Sequence, residues 1–281
     1  MMKLITWNIQ WGCGMDGRVD LDRIVATARQ MADFDVLCLQ EVADNFADLA
    51  GSRGENQFQE IARRLPGFTA VEGVNVDLPD GTGGRKRFGN MILSRLPVGR
   101  ILRHALPWGA DPTTRNMPRG LLDVEVNTAR GPVRIMTTHL EYFSASLRKM
   151  QVEAIAEIVR RGIARASAPP LAGAGTYAMG EGTASTLLTG DFNLRAEDPV
   201  RQLLTTPYDS GGAGLNDAWI RLNPGQPHPP SFCISDQTYG PPHCCDFVLL
   251  SGDIRDRLRH ISYEGTTRAS DHQPVLVEID A

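Results

Sequence analysis

The sequence predicts a single α/β or α+β domain, and three observations lead there. Strand-sized apolar runs alternate with stretches of helical spacing from one end to the other, and no internal repeat of solenoid length interrupts them. The 281 residues are 42% hydrophobic and 22% charged, an ordinary globular balance for one domain over residues 1–281. A chain of this length buries roughly three quarters of its unfolded surface. It needs no disulfide or metal staple to fold, so metal ligands in it would serve chemistry.

Residues 3–9 alternate with apolar side chains as a strand. Residues 21–34 have helical spacing behind Asp20 as a cap, and residues 35–39 form a buried strand ending at Gln40 and Glu41. Further strands are predicted at 88–94, 98–103, 121–126 and 133–138. The longest helix starts after Ser144 or Ser146, with Leu147, Met150, Ile155, Ile158 and Val159 on its apolar face and Arg148, Glu153, Glu157 and Arg160 outside it. Residues 166–184, rich in Gly, Pro and small side chains, predict a mobile surface loop, and a strand follows at 185–189. A second Gly- and Pro-rich stretch, 206–243, predicts another mobile loop with room for a short helix at 215–220. Strands at 246–250, 254–263 and 274–279 close the chain.

Several function classes are disfavoured. The apolar runs are too short for a membrane span, and the N-terminus lacks the pattern of a signal peptide, so a cytoplasmic protein is expected. A net charge of -4 and a pI of about 5.9 argue against holding nucleic acid by bulk electrostatics, which needs a dense basic face. Five cysteines, with no CxxC pair, fit a reducing compartment. His243, Cys244 and Cys245 beside Cys233 invite a zinc reading, but adjacent cysteines lack the chelating spacing and are read as buried or loop thiols. The run GTGGRKRFGN at 81–90 lacks P-loop spacing. It reads as a flexible basic flap in which Arg85, Lys86 and Arg87, beside Asn90, reach a phosphate-bearing substrate.

The polar residues that look out of place all sit at strand ends: Asn8, Glu41, Asn90, His139, Asp191, Asn193, Asp246, Asp271 and His272. So many acids, amides and histidines there are costly unless they converge on something charged. Among them, Glu41 suits a hard-oxygen ligand of Mg²⁺. Asp191 and Asn193 place an acid and an amide two residues apart, which a strand end can turn to one site.

The motifs TWN at 6–8, LQEV at 39–42, GNMILS at 89–94, THLE at 138–141, GDFN at 190–193, CDFV at 245–248 and SDH at 270–272 resemble the endonuclease/exonuclease/phosphatase superfamily of Mg²⁺-dependent phosphoesterases, in order and over nearly the whole chain. That resemblance implies a four-layer sandwich, two mixed β-sheets face to face flanked by helices. It also implies a site at one end of the sheets. It places Asn8 and Asp271 near the ion held by Glu41, and it makes Asp191 a water-orienting base or second-site metal ligand. Asn193 becomes a phosphate or water positioner, His272 and Asp246 a His–Asp pair, and His139 the second histidine of the nuclease-like branches.

Many nuclease members carry an acid where this chain has Gln10, so one Mg²⁺ or Mn²⁺ is expected rather than two. THLE leans toward the tyrosyl-DNA phosphodiesterase and sphingomyelinase-like branches. Arg119 is a further candidate phosphate ligand, and Tyr142, with Trp7, Trp11 and Trp108, a candidate stacking platform. The expected activity is metal-dependent hydrolysis of a phosphoester, a small or terminal phosphodiester such as a nucleic acid end, with no partner protein implied. Phosphomonoester hydrolysis of inositol, sugar or lipid phosphates is the alternative enzyme, and a catalytically silent binding module the alternative class.

Overall fold

The computed structural model describes residues 1–180, 182–207 and 214–281. At its centre lies β1 (Met2–Asn8), whose side chains alternate between two buried faces. Leu4 turns toward a second sheet, while Ile5 and Trp7 turn toward helices. The first sheet has the order β11 (Leu258–Tyr263), β12 (Val275–Ile279), β1, β2 (Val36–Asp44), β4 (Arg85–Ser94) and β3 (Thr69–Pro79). The second runs β5 (Val98–Ala105), β6 (Gly120–Thr128), β7 (Gly131–His139), β8 (Thr186–Asp191), β10 (Asp246–Leu250) and β9 (Asn216–Asp217). Each contains one parallel pair, β1 with β2 and β7 with β8, among antiparallel ones. Both are therefore mixed.

Three apolar layers follow from this arrangement. Leu4, Val36 and Ile92 of the first sheet meet Val124, Ile135 and Leu187 of the second. Outside the first sheet, Ile24 of α1 (Leu21–Met31) and Phe58 and Ile61 of α2 (Gln57–Arg64) cover Trp7, Leu37 and Leu39. Outside the second, α3 (Ala145–Ser167) and α4 (Pro199–Thr205) cover Met136, Leu188 and Phe247. The expected four-layer sandwich is observed, with α5 (Ala218–Leu222) packed at its end against β10 and β11. No described helix is long and apolar enough to cross a membrane.

Local chemistry sets the boundaries. Asp20 accepts a hydrogen bond from the Arg23 backbone N–H and starts α1; Ser144, not Ser146, does the same for α3 through Leu147. The inward face of α3 is Leu147, Gln151, Val152, Ile155 and Val159, whereas Met150 is 43% exposed. Gln151 is inward because its side-chain oxygen accepts from the Glu141 N–H at 2.9 Å. Residues 254–257 are not strand; a 3-10 turn, Arg255–Arg257, precedes β11. Residues 85–90 belong to β4 rather than to a flap. Elements the sequence does not announce are α2, β3 and α4. The stretch 166–184 carries a 3-10 turn at Gly175–Tyr177, with Tyr177 exposed, and part of the stretch 206–243 lies outside the described residues.

Gly190 of β8 is paired with Thr138 of β7, with φ +131°, and a Cβ there would lie 2.0 Å from the Thr138 carbonyl oxygen. Gly190→Ala is expected to lower the unfolding free energy by at least about 2 kcal/mol. The control Gly81→Ala, at φ +84° but with open space around it, should cost less. Denaturant midpoints measure both, and equal losses would contradict the close approach.

Candidate active site

The ends of the central strands deliver the polar residues to one edge of the sandwich. Asn8 is the last residue of β1 and lies beside Gln40 of β2; His139 ends β7 and Asp191 ends β8, paired to each other and, through Asp191, to Asp246 at the start of β10. Glu41 reaches the same edge by a bulge. The β2–β4 register shifts between Leu39 and Val42, and Glu41 adopts a left-handed φ of 60°, which re-aims its side chain. The segment holding Asp271 and His272 lies just before β12.

Asp191 is the hub. Its Oδ2 accepts from Asn8 Nδ2 at 3.0 Å and lies 3.4 Å from His139 Nε2 and 3.6 Å from His272 Nε2. The same Asn8 amide donates to Glu41 Oε1 at 3.0 Å. On its far side, His272 Nδ1 meets Asp246 Oδ2 at 2.9 Å, and that oxygen also accepts the Ser231 hydroxyl at 2.7 Å. The imidazole is clamped further by Phe232, stacked at 4.4 Å between centroids, and its backbone carbonyl accepts from Trp7 Nε1 at 2.9 Å. The Asn193 backbone N–H donates to Asp191 Oδ1 at 2.9 Å, and its side-chain amide donates to the Leu140 carbonyl.

These contacts give the two histidines opposite charge states. Burial, followed by the nearby Arg119 cation, pushes His139 down to about 3, so its imidazole is neutral. Burial opposes a charge on His272 as well, but Asp246 and Asp191 overcome it and hold that imidazole well above its ordinary value, as the cation. Glu41 is pushed up to about 7 by burial and by the Asp271 carboxylate, and burial raises Asp271 too.

Two carboxyls thus share one half-buried place where each resists ionising. A divalent cation would relieve that conflict, and Glu41 and Asp271 form a hard-oxygen pair of the kind Mg²⁺ or Mn²⁺ takes, with Asn8 beside them presenting its amide nitrogen to Glu41 while its oxygen accepts the Gln10 N–H. A softer trio, Asp191, Cys245 and His272, also lies close together. It does not suit a metal: burial holds the Cys245 thiol protonated, well above its usual range, and His272 is already committed to Asp246. The residues present therefore fit one oxygen-ligated cation. Gln10 lines the adjoining cavity as a neutral side chain.

A family model described as the endonuclease/exonuclease/phosphatase family matches residues 5–272. The chain belongs to that family. Its members are phosphoester hydrolases that generally use divalent metal ions. An endonuclease/exonuclease/phosphatase from Beutenbergia cavernae is 24% identical with a TM-score of 0.66, over 98% of this chain and 70% of the other. A Bacteroides thetaiotaomicron mannosyl-6-phosphatase is 17% identical with a TM-score of 0.65, over 100% of both chains. Truncated Caenorhabditis elegans TDP2 is 21% identical with a TM-score of 0.62, over 100% of this chain and 97% of the other. At these identities the likeness is one of fold. No protein of curated function matches the sequence.

Other residues singled out from the sequence fall into two groups. Arg119 and Tyr142 line the cavity above the cluster. Arg119 is buried with its Nε in an ion pair 3.5 Å from a Glu141 carboxylate oxygen, and that Nε has no closer hydrogen-bond partner among the described residues. Asn90 is buried beneath, donating to the Gly120 carbonyl at 3.3 Å. Arg85, Lys86 and Arg87 do not reach the site. They lie on β4 opposite β3, and each is neutralised: Arg85 by Asp77, Lys86 by Asp48, Arg87 by Asp44 and Glu72. Trp7 is core, Trp108 lies outside the cavity wall, and Trp11 lines it. Ser231 and Phe232 were hidden in a stretch that reads as loop; a serine and a phenylalanine flanking a Pro-rich run carry no signal of a histidine partner.

Glu41→Gln is expected to leave the fold intact, because the amide can still accept from Asn8, while Mg²⁺ affinity falls at least tenfold. Calorimetric titration of both proteins with Mg²⁺ measures this, and unchanged affinity would remove Glu41 from the cation site.

Proposed function

We propose that the protein hydrolyses a phosphodiester with the help of one bound Mg²⁺ or Mn²⁺. The observation that carries this reading is the Asp191 carboxylate held between a neutral and a cationic imidazole and tied by Asn8 to Glu41. The cation, held by Glu41 and Asp271 with Asn8 near it, would supply Lewis-acid polarisation of a phosphoryl oxygen and offset its charge. Asp191 orients the attacking water and accepts its proton. His272, kept in one tautomer and charged by Asp246 and Ser231, donates a hydrogen bond to a phosphoryl oxygen as negative charge grows there. Neutral His139 supports the water from the other side, and Asn193 positions it. Arg119, which lines the cavity and is ion-paired with Glu141 behind it, is the deep cation for the phosphoryl group.

Charge favours the diester. A monoester dianion or a polyphosphate asks for several cations, and the cavity lining offers Arg115 and Arg119 beside the histidines. A singly charged diester asks for fewer. The absence of a basic track lining the cavity among the described residues agrees with a small or terminal substrate rather than a long duplex. Five free, buried cysteines suit a reducing compartment, as in cytoplasm.

Bis(4-nitrophenyl) phosphate should be turned over with a kcat/KM at least tenfold above that for 4-nitrophenyl phosphate, and EDTA should abolish the activity until Mg²⁺ or Mn²⁺ is restored. EDTA-insensitive turnover would refute the metal, and a preference for the monoester would move the protein to the phosphomonoesterase reading. Within the same assay, His272→Ala should lower kcat by about 10²–10⁴, and Asp246→Asn by less, since it removes only orientation and charge support. A folded Asp246→Asn protein with wild-type turnover would show that the pair plays no part.

A further inference from the structure

The cavity above the cluster has a volume of about 540 Å³, enough for a drug-sized ligand. Its floor is ionic, formed by Glu41, Asp191, His139 and His272. Its walls are not. Phe46 and Leu49, from the segment after β2, stand with Val76 and Leu78 of β3 and Phe88 of β4 along one side, and Met117 and Phe143 line another. Leu78, Phe143 and Tyr239 are 50%, 42% and 58% exposed, so the apolar lining continues to the rim. Of the cations near these walls, Lys86 pairs with Asp48, and Arg115 lies over the Phe143 ring at 4.3 Å.

Such a wall offers a sugar or inositol phosphate few partners, chiefly Gln10, Arg115, Tyr142 and Tyr239, for hydroxyls that would lose water against its apolar side chains. It rewards an apolar group. Resting on the phosphodiesterase reading above, we infer that the substrate is a phosphodiester in which one esterified group is bulky and apolar, an alkyl chain or an aryl ring, seated against Phe46, Leu78, Phe88, Met117 and Phe143 while the phosphoryl group meets the ionic floor.

The test is binding, kept separate from turnover. Dimethyl, methyl butyl, methyl octyl and methyl phenyl phosphates, together with the dinucleotide monophosphate dTpdT, are measured with Mg²⁺ present as competitors of bis(4-nitrophenyl) phosphate hydrolysis. Burial of a methylene at about 0.8 kcal/mol corresponds to roughly fourfold in affinity. Inhibition constants should therefore fall two- to fourfold per methylene from methyl to butyl, and the octyl ester should bind at least 100-fold more tightly than the dimethyl ester. An octyl ester tighter than the phenyl ester assigns the group to a chain, and the reverse assigns it to a ring; both uphold the inference. Leu78→Asp and Phe143→Ser should each narrow the octyl-to-methyl ratio at least fivefold. A flat series with metal-dependent turnover intact, or dTpdT binding more tightly than every apolar ester, overturns the apolar group alone. Loss of metal-dependent turnover counts instead against the phosphodiesterase reading.

Discussion

A single buried carboxylate constrains the rest of this molecule. Asp191 is 1% exposed at the end of a central strand, and an unpaired charge in such a place would cost several kcal/mol. Its compensation comes from both sheets: the Asn8 amide from one, His139 from the other, and His272 from the segment entering the last strand. Each partner then needs its own support, which is why Asp246, Ser231, Phe232 and Trp7 gather around His272. The two sheets must sit in one relative position for Asn8 to reach Asp191 at 3.0 Å. Gln40 makes a second crossing, donating to Thr6 on its own sheet and Thr137 on the other at 3.2 and 2.8 Å. The apolar layer between the sheets fixes the spacing these polar contacts require.

Much of this was legible in the chain. The strand-end rule selects nine residues from sequence, and the structure brings Asn8, Glu41, His139, Asp191, Asn193, Asp246, Asp271 and His272 together, while Asn90 is buried on the Gly120 carbonyl. The rule works because a polar residue closing an apolar run is forced to the sheet edge whatever the tertiary details. The charge difference between the histidines was not legible. It depends on which side of Asp191 each ring occupies and on whether Arg119 or Asp246 stands behind it, and neither is encoded locally.

The errors share another cause. Strand β3 alternates only weakly and ends in Pro79, and α2 is eight residues long, so neither stands out. Yet β3 supplies Asp77 to Arg85 and Glu72 to Arg87, while Asp44, at the end of β2, and Asp48, just after it, complete the neutralisation of Arg87 and Lys86. Three adjacent cations after a glycine-rich turn look free only while their partners are unseen. The same unseen strand supplies Val76 and Leu78 to the cavity wall, so losing β3 from the sequence reading turned an apolar wall into an expected basic flap.

The bond from the Trp7 indole to the His272 carbonyl joins positions 265 residues apart, and β12 aligns along β1 beside it. In the order of synthesis, the first strand emerges long before its antiparallel partner exists, an interval on the order of tens of seconds at about 5–20 residues per second. Throughout that interval one edge of β1 is open, His272 has no seat, and Asp191 lacks the counter-charge that justifies burying it. A growing chain therefore carries most of the pieces of this cluster before they can meet. Translation itself completes it, and only when the closing strand arrives.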